Sequence, residues 1–458
     1  KRRMKMDTND KLERLLDMQE RILAKNAEVA YAVALSQLQA DLPEIPERGM
    51  IRALILFDCF HQFAGAFDEL IRAQVTAGDV SVPVPFADDI LALLARCGFA
   101  RDEALRCLAL LWQLRRSFYF IRERILGDTP AMRALREQLW NNVFTADRIA
   151  YDRHLWTRME QFSTLIIGET GTGKGTAAAA LGGSGFIPFD ARRGCFAESF
   201  TRCFVSANLS QYPATLIEGE LFGYRTGAFT GATADYDGLL ARCSAHGAVF
   251  LDEIGDLPLP LQVKLLTVVE SRSFTPLGCR EALRFSGRVI VATNRPLAEL
   301  RAAGAFRDDF YYRLCSDVIV LPTLRARLAE NPTELTLLVT ALVARIAGDA
   351  GGVLAQRVLD ALRRSPGPSY HWPGNVRELE QAVRRVLLSG SYQPDAAAPA
   401  PAADDDFLRQ AAAGLLDADA LLAGYAALLY RRGGTYEEVA RKLGIDRRTA
   451  KRHIIRHH

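Results

Sequence analysis

The stretch from residue 127 to 322 predicts an α/β domain built on a mainly parallel sheet. Three features carry that prediction. Short apolar runs at Ser163–Ile167, Cys203–Ala207, Ala248–Asp252 and Arg288–Thr293 have the length of strands, helical stretches lie between them, and glycine-rich turns punctuate the joints. Ahead of this core, residues 1–126 read as helical. Thr8 or Asp10 can cap a helix through Leu12, Leu15, Leu16, Ile22 and Leu23 that stops near Pro43. Apolar periodicity then runs from Met50 to Ala73, and shorter helical patterns cover Asp88–Cys97 and Arg101–Ile125. His61 and Trp112 sit among apolar neighbours and read as core. Lacking a glycine loop or ligand cluster, this segment suits a regulatory or oligomerisation module. Behind the α/β core, 323–390 is helical again, 391–406 is a Pro/Ala/Asp-rich linker, and 407–458 is a small basic helical domain.

Composition narrows the function classes. In 458 residues, 49% are apolar and 24% charged, which suits a soluble protein of several domains with a large core. A net charge of +3 says little about partners, but its distribution does. Within 431–458, Arg431, Arg432, Arg441, Lys442, Arg447, Arg448, Lys451, Arg452 and Arg456 face only Glu437, Glu438 and Asp446, a local net of +6. That footprint suits nucleic acid. The eight cysteines are dispersed without a CxxC pair, the usage of reduced thiols in a cytosolic protein. No apolar run reaches the roughly 18–20 residues of a membrane span. The leading Lys-Arg-Arg-Met-Lys-Met also lacks the apolar run of a secretory signal.

The sharpest chemistry lies after the first predicted strand. Gly168-Glu169-Thr170-Gly171-Thr172-Gly173-Lys174 follows Thr164–Ile167 and precedes helical Ala177–Leu181. In this strand–loop–helix setting, backbone N–H groups curl around phosphate oxygens, the helix N-terminus adds partial positive charge, and Lys174 reaches the outer phosphates. Gly175 stands where most such loops place a Mg²⁺-binding hydroxyl. Thr176 comes next, turned by about 100° around the helix, and does not substitute for it. Ala248–Asp252 ends in adjacent carboxylates. Asp252 suits a metal shell and Glu253 can polarise an attacking water.

A more specific motif is Leu221-Phe222-Gly223-Tyr224-Arg225-Thr226-Gly227-Ala228-Phe229-Thr230-Gly231-Ala232, which contains the GAFTGA hexapeptide. With the motifs above, Leu251-Asp252-Glu253-Ile254-Gly255, Ala292-Thr293-Asn294-Arg295, Phe306–Leu314 and Trp372–Glu380 in order, the chain resembles the AAA+ domain of bacterial enhancer-binding proteins. These are ATP-driven activators of sigma-54 RNA polymerase. The resemblance covers roughly 127–390 and extends to the tail. It implies ATP and Mg²⁺ as cofactors, with Gly168 to Thr176 around the nucleotide. It makes Gly227, Ala228, Phe229, Thr230, Gly231 and Ala232 a mobile loop that contacts sigma-54. Asn208 would restrain Glu253, Asn294 would sense the γ-phosphate, and Arg307 and Arg313 would be arginine fingers supplied by a neighbouring subunit. Arg377 would be a second sensor on the lid. The chain departs from the family at Gly175, where the relatives usually carry Glu. It also departs in two long segments, one before the phosphate-loop strand and one at Gly182–Ser199.

Thr435–Ile454 reads as a helix-turn-helix. Val439, Ala440 and Leu443 pack the first helix, and Gly444 makes the turn. Arg447, Arg448, Thr449, Lys451 and Arg452 crowd the second helix, where bases and phosphates meet it in the major groove. The module is similar to the Fis-type domain of the same family. The expected protein is a cytoplasmic, nucleoid-associated bacterial activator that binds upstream DNA and forms homo-oligomers, from a dimer to a hexameric or heptameric ring. No membrane is involved. The alternative is a DNA-binding regulator in which ATP controls assembly only.

Overall fold

Five parallel strands form the central sheet: β1 (Thr164–Ile167), β2 (Phe204–Asn208), β3 (Ala248–Asp252), β4 (Arg288–Thr293) and β5 (Asp317–Val320). Their spatial order is β2-β3-β4-β1-β5, so β1 sits between two strands that come late in the chain. The structure is a computed structural model that describes residues 47–147, 150–348, 351–368, 370–394, 407, 410–411, 414–431 and 435–457. The helix expected between residues 8 and 42 and most of the 391–406 linker lie outside the described residues. The four predicted strands are present within a residue of their expected ends. β5 is an edge strand with Ile319 buried and Val318 and Val320 exposed.

The helical segment ahead of the sheet holds α1 (Glu47–Gln62), α2 (Ala64–Ala77), α3 (Ala87–Arg96) and α4 (Arg101–Ser117). The run expected from Met50 to Ala73 is thus broken at Phe63, and the last helix passes into a π-helix at Phe118–Glu123. Trp112 of α4, 2% exposed, stacks on Phe196 at 5.1 Å and on Phe67 at 5.9 Å. Phe196 belongs to the long 184–203 segment of the α/β core. One apolar cluster therefore joins Phe67, Ile90, Leu108 and Trp112 to Ile187, Phe196, Phe200 and Cys203.

Two helices cover one face of the sheet: α5 (Pro130–Phe144), capped by Thr129 with Pro130 in its first turn, and α6 (Lys174–Gly183). Against them lie Ile166, Phe250, Ile290 and Ala292. The alternate residues Leu165, Val249, Leu251, Val289 and Val291 point to the other face. There they meet α7 (Ala214–Phe222), α8 (Leu239–Arg242), α9 (Leu259–Ser271), α10 (Leu297–Ala302) and α11 (Asp308–Leu314). Burial on both faces explains the near-continuous apolar runs in the sequence.

The carboxyl end of α6 is held from α4. Arg116, fully buried, donates to the carbonyls of Gly183 at 2.5 Å and Gly185 at 2.6 Å, and Gln113 donates to Ser184 O at 2.9 Å. A cation at the negative end of a helix dipole is favourable. Burial lowers the Arg116 pKa to about 10, which leaves it cationic at neutral pH.

The remaining helices are α12 (Leu324–Glu330), α13 (Glu334–Ala347), α14 (Gly351–Arg364), α15 (Asn375–Ser389), α16 (Ala418–Arg431), α17 (Tyr436–Leu443) and α18 (Arg447–His457). The chain divides into two compact units, Lys1–Leu338 with Gly374–Arg377, and Val339–Pro373 with Glu378–His458. In the second unit Glu378 accepts from the hydroxyls of Tyr370 at 2.6 Å and Tyr392 at 2.9 Å, beside buried Trp372. No helix among the described residues is long and apolar enough to cross a membrane.

Candidate active site

The phosphate loop leaves the carboxyl end of β1, at the crevice where α/β sheets bind ligands. Gly171 and Gly173 adopt positive φ of +79° and +101°. A Cβ on Gly171 would lie 2.1 Å from Gly374 O, so only glycine lets the two backbones approach there. Lys174 opens α6, is 7% exposed, donates to Gly168 O at 3.1 Å and faces the Glu253 carboxylate at 3.6 Å. Gly175 and Thr176 follow on the exposed side of the helix. A Cβ on Gly175 meets nothing within 4 Å, so the missing side chain reflects no steric limit.

β3 brings the paired acids to the same crevice. Asp252 accepts from the Glu253 N–H at 3.0 Å, and Glu253 has a left-handed φ of +57°, a strained conformation for this residue. Its Oε2 accepts from the Asn294 N–H at 3.1 Å, while Asn294 Nδ2 donates to Thr170 Oγ1 at 2.9 Å. Lys174, Glu253, Asn294 and Thr170 thus form one connected cluster. Asn208 stands in register beside Asp252, but among the described residues its side-chain oxygen caps Ser210 N at 3.0 Å and does not bond Glu253. The described residues hold no group of three or more His, Cys, Asp or Glu that could bind a metal by themselves. One carboxylate beside a phosphate loop fits Mg²⁺ held mainly by phosphates and water.

Two residues without a role in the sequence reading secure this loop. Asn375, fully buried with φ +52°, donates to Thr170 O at 3.0 Å and Glu169 Oε2 at 3.2 Å, and accepts from Leu324 N at 2.8 Å. Asparagine tolerates the left-handed region, which was its only sequence signal. Arg325 grips Glu169 with both terminal guanidinium nitrogens, Nη1 at 2.8 Å. That hydrogen bond holds the Glu169 carboxyl below its usual range, with burial opposing it. Arg377 is exposed, and its Cβ lies 2.9 Å from where a Gly171 Cβ would sit. Thr172 donates to Glu169 O at 2.8 Å, closing the turn.

Arg307 occupies the N-terminal boundary position of α11 and pairs with Asp309 at 2.7 Å, and its N–H donates to buried Gln262 at 3.0 Å. Arg313 sits at the opposite end of the sheet from the phosphate loop. Its carbonyl accepts from Ser163 Oγ at 2.7 Å, just before β1, and its guanidinium donates to Val269 O at 3.4 Å. The loop begins one strand later, roughly 16 Å away at about 3.3 Å per residue.

The 227–232 segment projects from a stapled neck. Tyr224 and Tyr236 exchange backbone bonds at 2.9 and 3.0 Å, and Asp235 accepts from Thr226 N at 2.8 Å. Gly227 and Gly231, at φ +83° and +103°, close the tip through Gly227 N to Ala232 O at 2.9 Å. Ala228 rests against Gly278 and Ala232 is buried, while Phe229 is 44% exposed with Thr230 beside it.

In the tail, a capping box at Thr435 and Glu438 starts α17, and Gly444 ends it at φ +68°. Val439, Ala440, Ala450, Ile454 and Ala426 form the core of this helical group. Asp446 caps α18 by accepting from Arg448 N at 2.9 Å and Thr449 N at 3.0 Å. Arg447 pairs with Glu437 at 2.9 Å, and Lys451 lies over the Tyr436 ring at 5.8 Å. Arg448 and Arg452, one turn apart, are exposed.

A five-stranded parallel sheet with this loop at the end of β1 and acids at the end of β3 defines an AAA+ ATPase core. Residues 148–320 match the sigma-54 interaction domain. The chain is 37% identical to the transcriptional regulatory protein ZraR of Klebsiella oxytoca over 336 residues, 71% of this chain and 67% of the relative. It is 41% identical to the DNA-binding transcriptional regulator NtrC of Azospirillum brasilense over 230 residues, 50% of this chain and 43% of that one. With the formate hydrogenlyase transcriptional activator FhlA of Escherichia coli K12 it shares 36% over 278 residues, 58% and 37% of the two chains. The chain belongs to the sigma-54-dependent transcriptional regulators. It spans less than half the length of the latter two relatives.

Proposed function

We propose that this chain uses ATP hydrolysis at sites shared between subunits of a ring to remodel sigma-54 RNA polymerase, with α17 and α18 bound to upstream DNA. The carrying observation is that one compact unit holds both the Lys174–Glu253–Asn294 cluster and an exposed Phe229–Thr230 tip on a separate stapled neck. In this reading Lys174 exchanges its contact with Glu253 for the outer phosphates. Glu253, so released, accepts the proton of the water that attacks the γ-phosphorus, and ADP leaves. Asp252 would hold Mg²⁺, which supplies charge neutralisation at the phosphates. Asn294, already tied to both Glu253 and Thr170, positions the water and senses the γ-phosphate. Asn208 is the switch next to Asp252, and Arg377 reads nucleotide state beside Gly171. The location of Arg313, a strand length from its own phosphate loop, supports its action with Arg307 on a neighbour's nucleotide. Arg447, Arg448, Thr449, Lys451 and Arg452 are the proposed DNA contacts.

Thr230→Ala tests the coupling. ATP turnover should stay within about twofold of the parent, since Thr230 is outside the nucleotide cluster, while opening of a sigma-54 promoter is lost. Parallel loss of both activities would make the loop structural. Unchanged promoter opening would take Thr230 out of the polymerase contact, and a parent chain that hydrolyses ATP yet opens no sigma-54 promoter would favour the regulator in which ATP controls assembly only.

A further inference from the structure

At the amino ends of the strands, opposite the phosphate loop, lies a cleft of about 490 Å³. Ala248 and Arg288, the first residues of β3 and β4, form part of its floor, and Leu181 and Gly182 of the last turn of α6 form one wall. The two segments that exceed the family pattern supply another wall, through Trp156 from one and Phe186 from the other, whose rings meet edge to face at 4.5 Å. Val143 and Phe285, both buried, complete an apolar lining. The size and mixed walls match those of small-molecule sites.

The charged groups around this cleft are unbalanced. Arg272, Arg284 and Arg288 line it with His246, against one carboxylate, Glu160. Arg288 is engaged through all three of its guanidinium nitrogens, with four hydrogen bonds to Phe162 O, Asn142 O, Asn142 Oδ1 and Thr164 Oγ1. Arg272 is not. It donates one bond to Gly287 O at 2.9 Å and lies over the Phe285 ring at 5.7 Å, but its Nε is buried and has no hydrogen-bond partner among the described residues. A buried guanidinium N–H left without an acceptor is costly in a folded protein. Nη1 makes that one bond, so the Nη2 hydrogens of a guanidinium that lines the cleft also have no acceptor among the described residues.

We infer that this cleft is a binding site for a small organic anion with an aromatic or alicyclic body, its acidic head on Arg272 and its body against Trp156 and Phe186. The acid supplies the acceptor that Arg272 lacks, and the rings supply apolar area for a flat body. An occupant there would touch α6, the helix whose first residue is Lys174. The inference does not depend on polymerase remodelling, and binding can be read without ATP turnover.

The full chain would be titrated with 1-anilinonaphthalene-8-sulfonate, an aromatic anion of suitable size. The expected result is one saturable site per chain, with energy transfer from tryptophan that falls sharply in Trp156→Phe. Arg272→Met should weaken binding at least about tenfold, the worth of a charge-assisted hydrogen bond, and Arg272→Lys should restore part of it. 3-Phenylpropanoate should displace the probe and 3-phenylpropanamide should not. Should Arg272→Met fold poorly, Ala245→Trp at the exposed rim serves instead and should block the probe at unchanged melting temperature. Three results would overturn the inference: no saturable binding, affinity indifferent to both Arg272→Met and Ala245→Trp, or displacement by amide and acid alike.

Discussion

Replacing Arg116 by Met tests whether the helical segment and the ATPase core are one cooperative body. The substitution keeps most of the stem and removes the two bonds to Gly183 O and Gly185 O at the end of α6. Hydrogen bonds from a charged donor contribute about 1.5–3 kcal/mol each, so roughly 3–6 kcal/mol is lost. Part returns because the variant no longer buries a guanidinium, a group whose desolvation is itself costly. A net loss of about 2–4 kcal/mol remains, since the buried Gly183 carbonyl is left without its donor. For a unit of this size that corresponds to a fall in melting temperature of roughly 3–7 °C. Thermal and urea unfolding would be followed by tryptophan emission, because the Arg116 guanidinium lies 5.3 Å from the Trp112 ring and that residue reports the same interface. ATP affinity should fall with it, since α6 carries Lys174. Unfolding within about 0.5 kcal/mol of the parent would refute the reasoning, as would loss of Trp112 packing with no change in nucleotide binding.

Glu253→Gln should bind ATP and lose most turnover, measured by phosphate release, and normal turnover would place the base elsewhere. Arg307→Ala and Lys174→Ala should each be inactive alone and partly active when mixed, because some interfaces then pair an intact phosphate loop with intact fingers. Co-assembly without rescue would confine the arginines to their own subunit. Arg452→Ala should weaken binding to any duplex about uniformly and reduce the salt slope of log affinity by about one, the signature of a phosphate contact. Unchanged affinity would take Arg452 out of the interface.

The nucleotide cluster was legible in the sequence because each part carries a local signal. Glycines spaced for positive φ precede Lys174, and an apolar strand runs straight into Asp252 and Glu253. β5 was missed because only Ile319 of its four residues is buried, and one inward residue leaves no period to count. The break at Phe63 was hidden because apolar periodicity continues on both sides of it. Asn375 and Arg325 could not be assigned roles, since their partners lie about 50 to 200 positions away. The same holds for the helical segment. Trp112 read correctly as core, yet that its core would include Phe196 and Phe200 depends on contacts that no helical pattern encodes.

The left-handed backbone at Glu253 sets stability against activity. Holding a non-glycine residue there costs on the order of 1–3 kcal/mol, while glycine takes the same conformation at little cost. Repeated selection of this chain for heat resistance alone would therefore drift towards glycine at 253 and yield sturdier molecules without the proposed catalytic base. Libraries built to harden the protein should fix that codon, and thermostable survivors in which it has changed would mark how much strain the site stores for its chemistry.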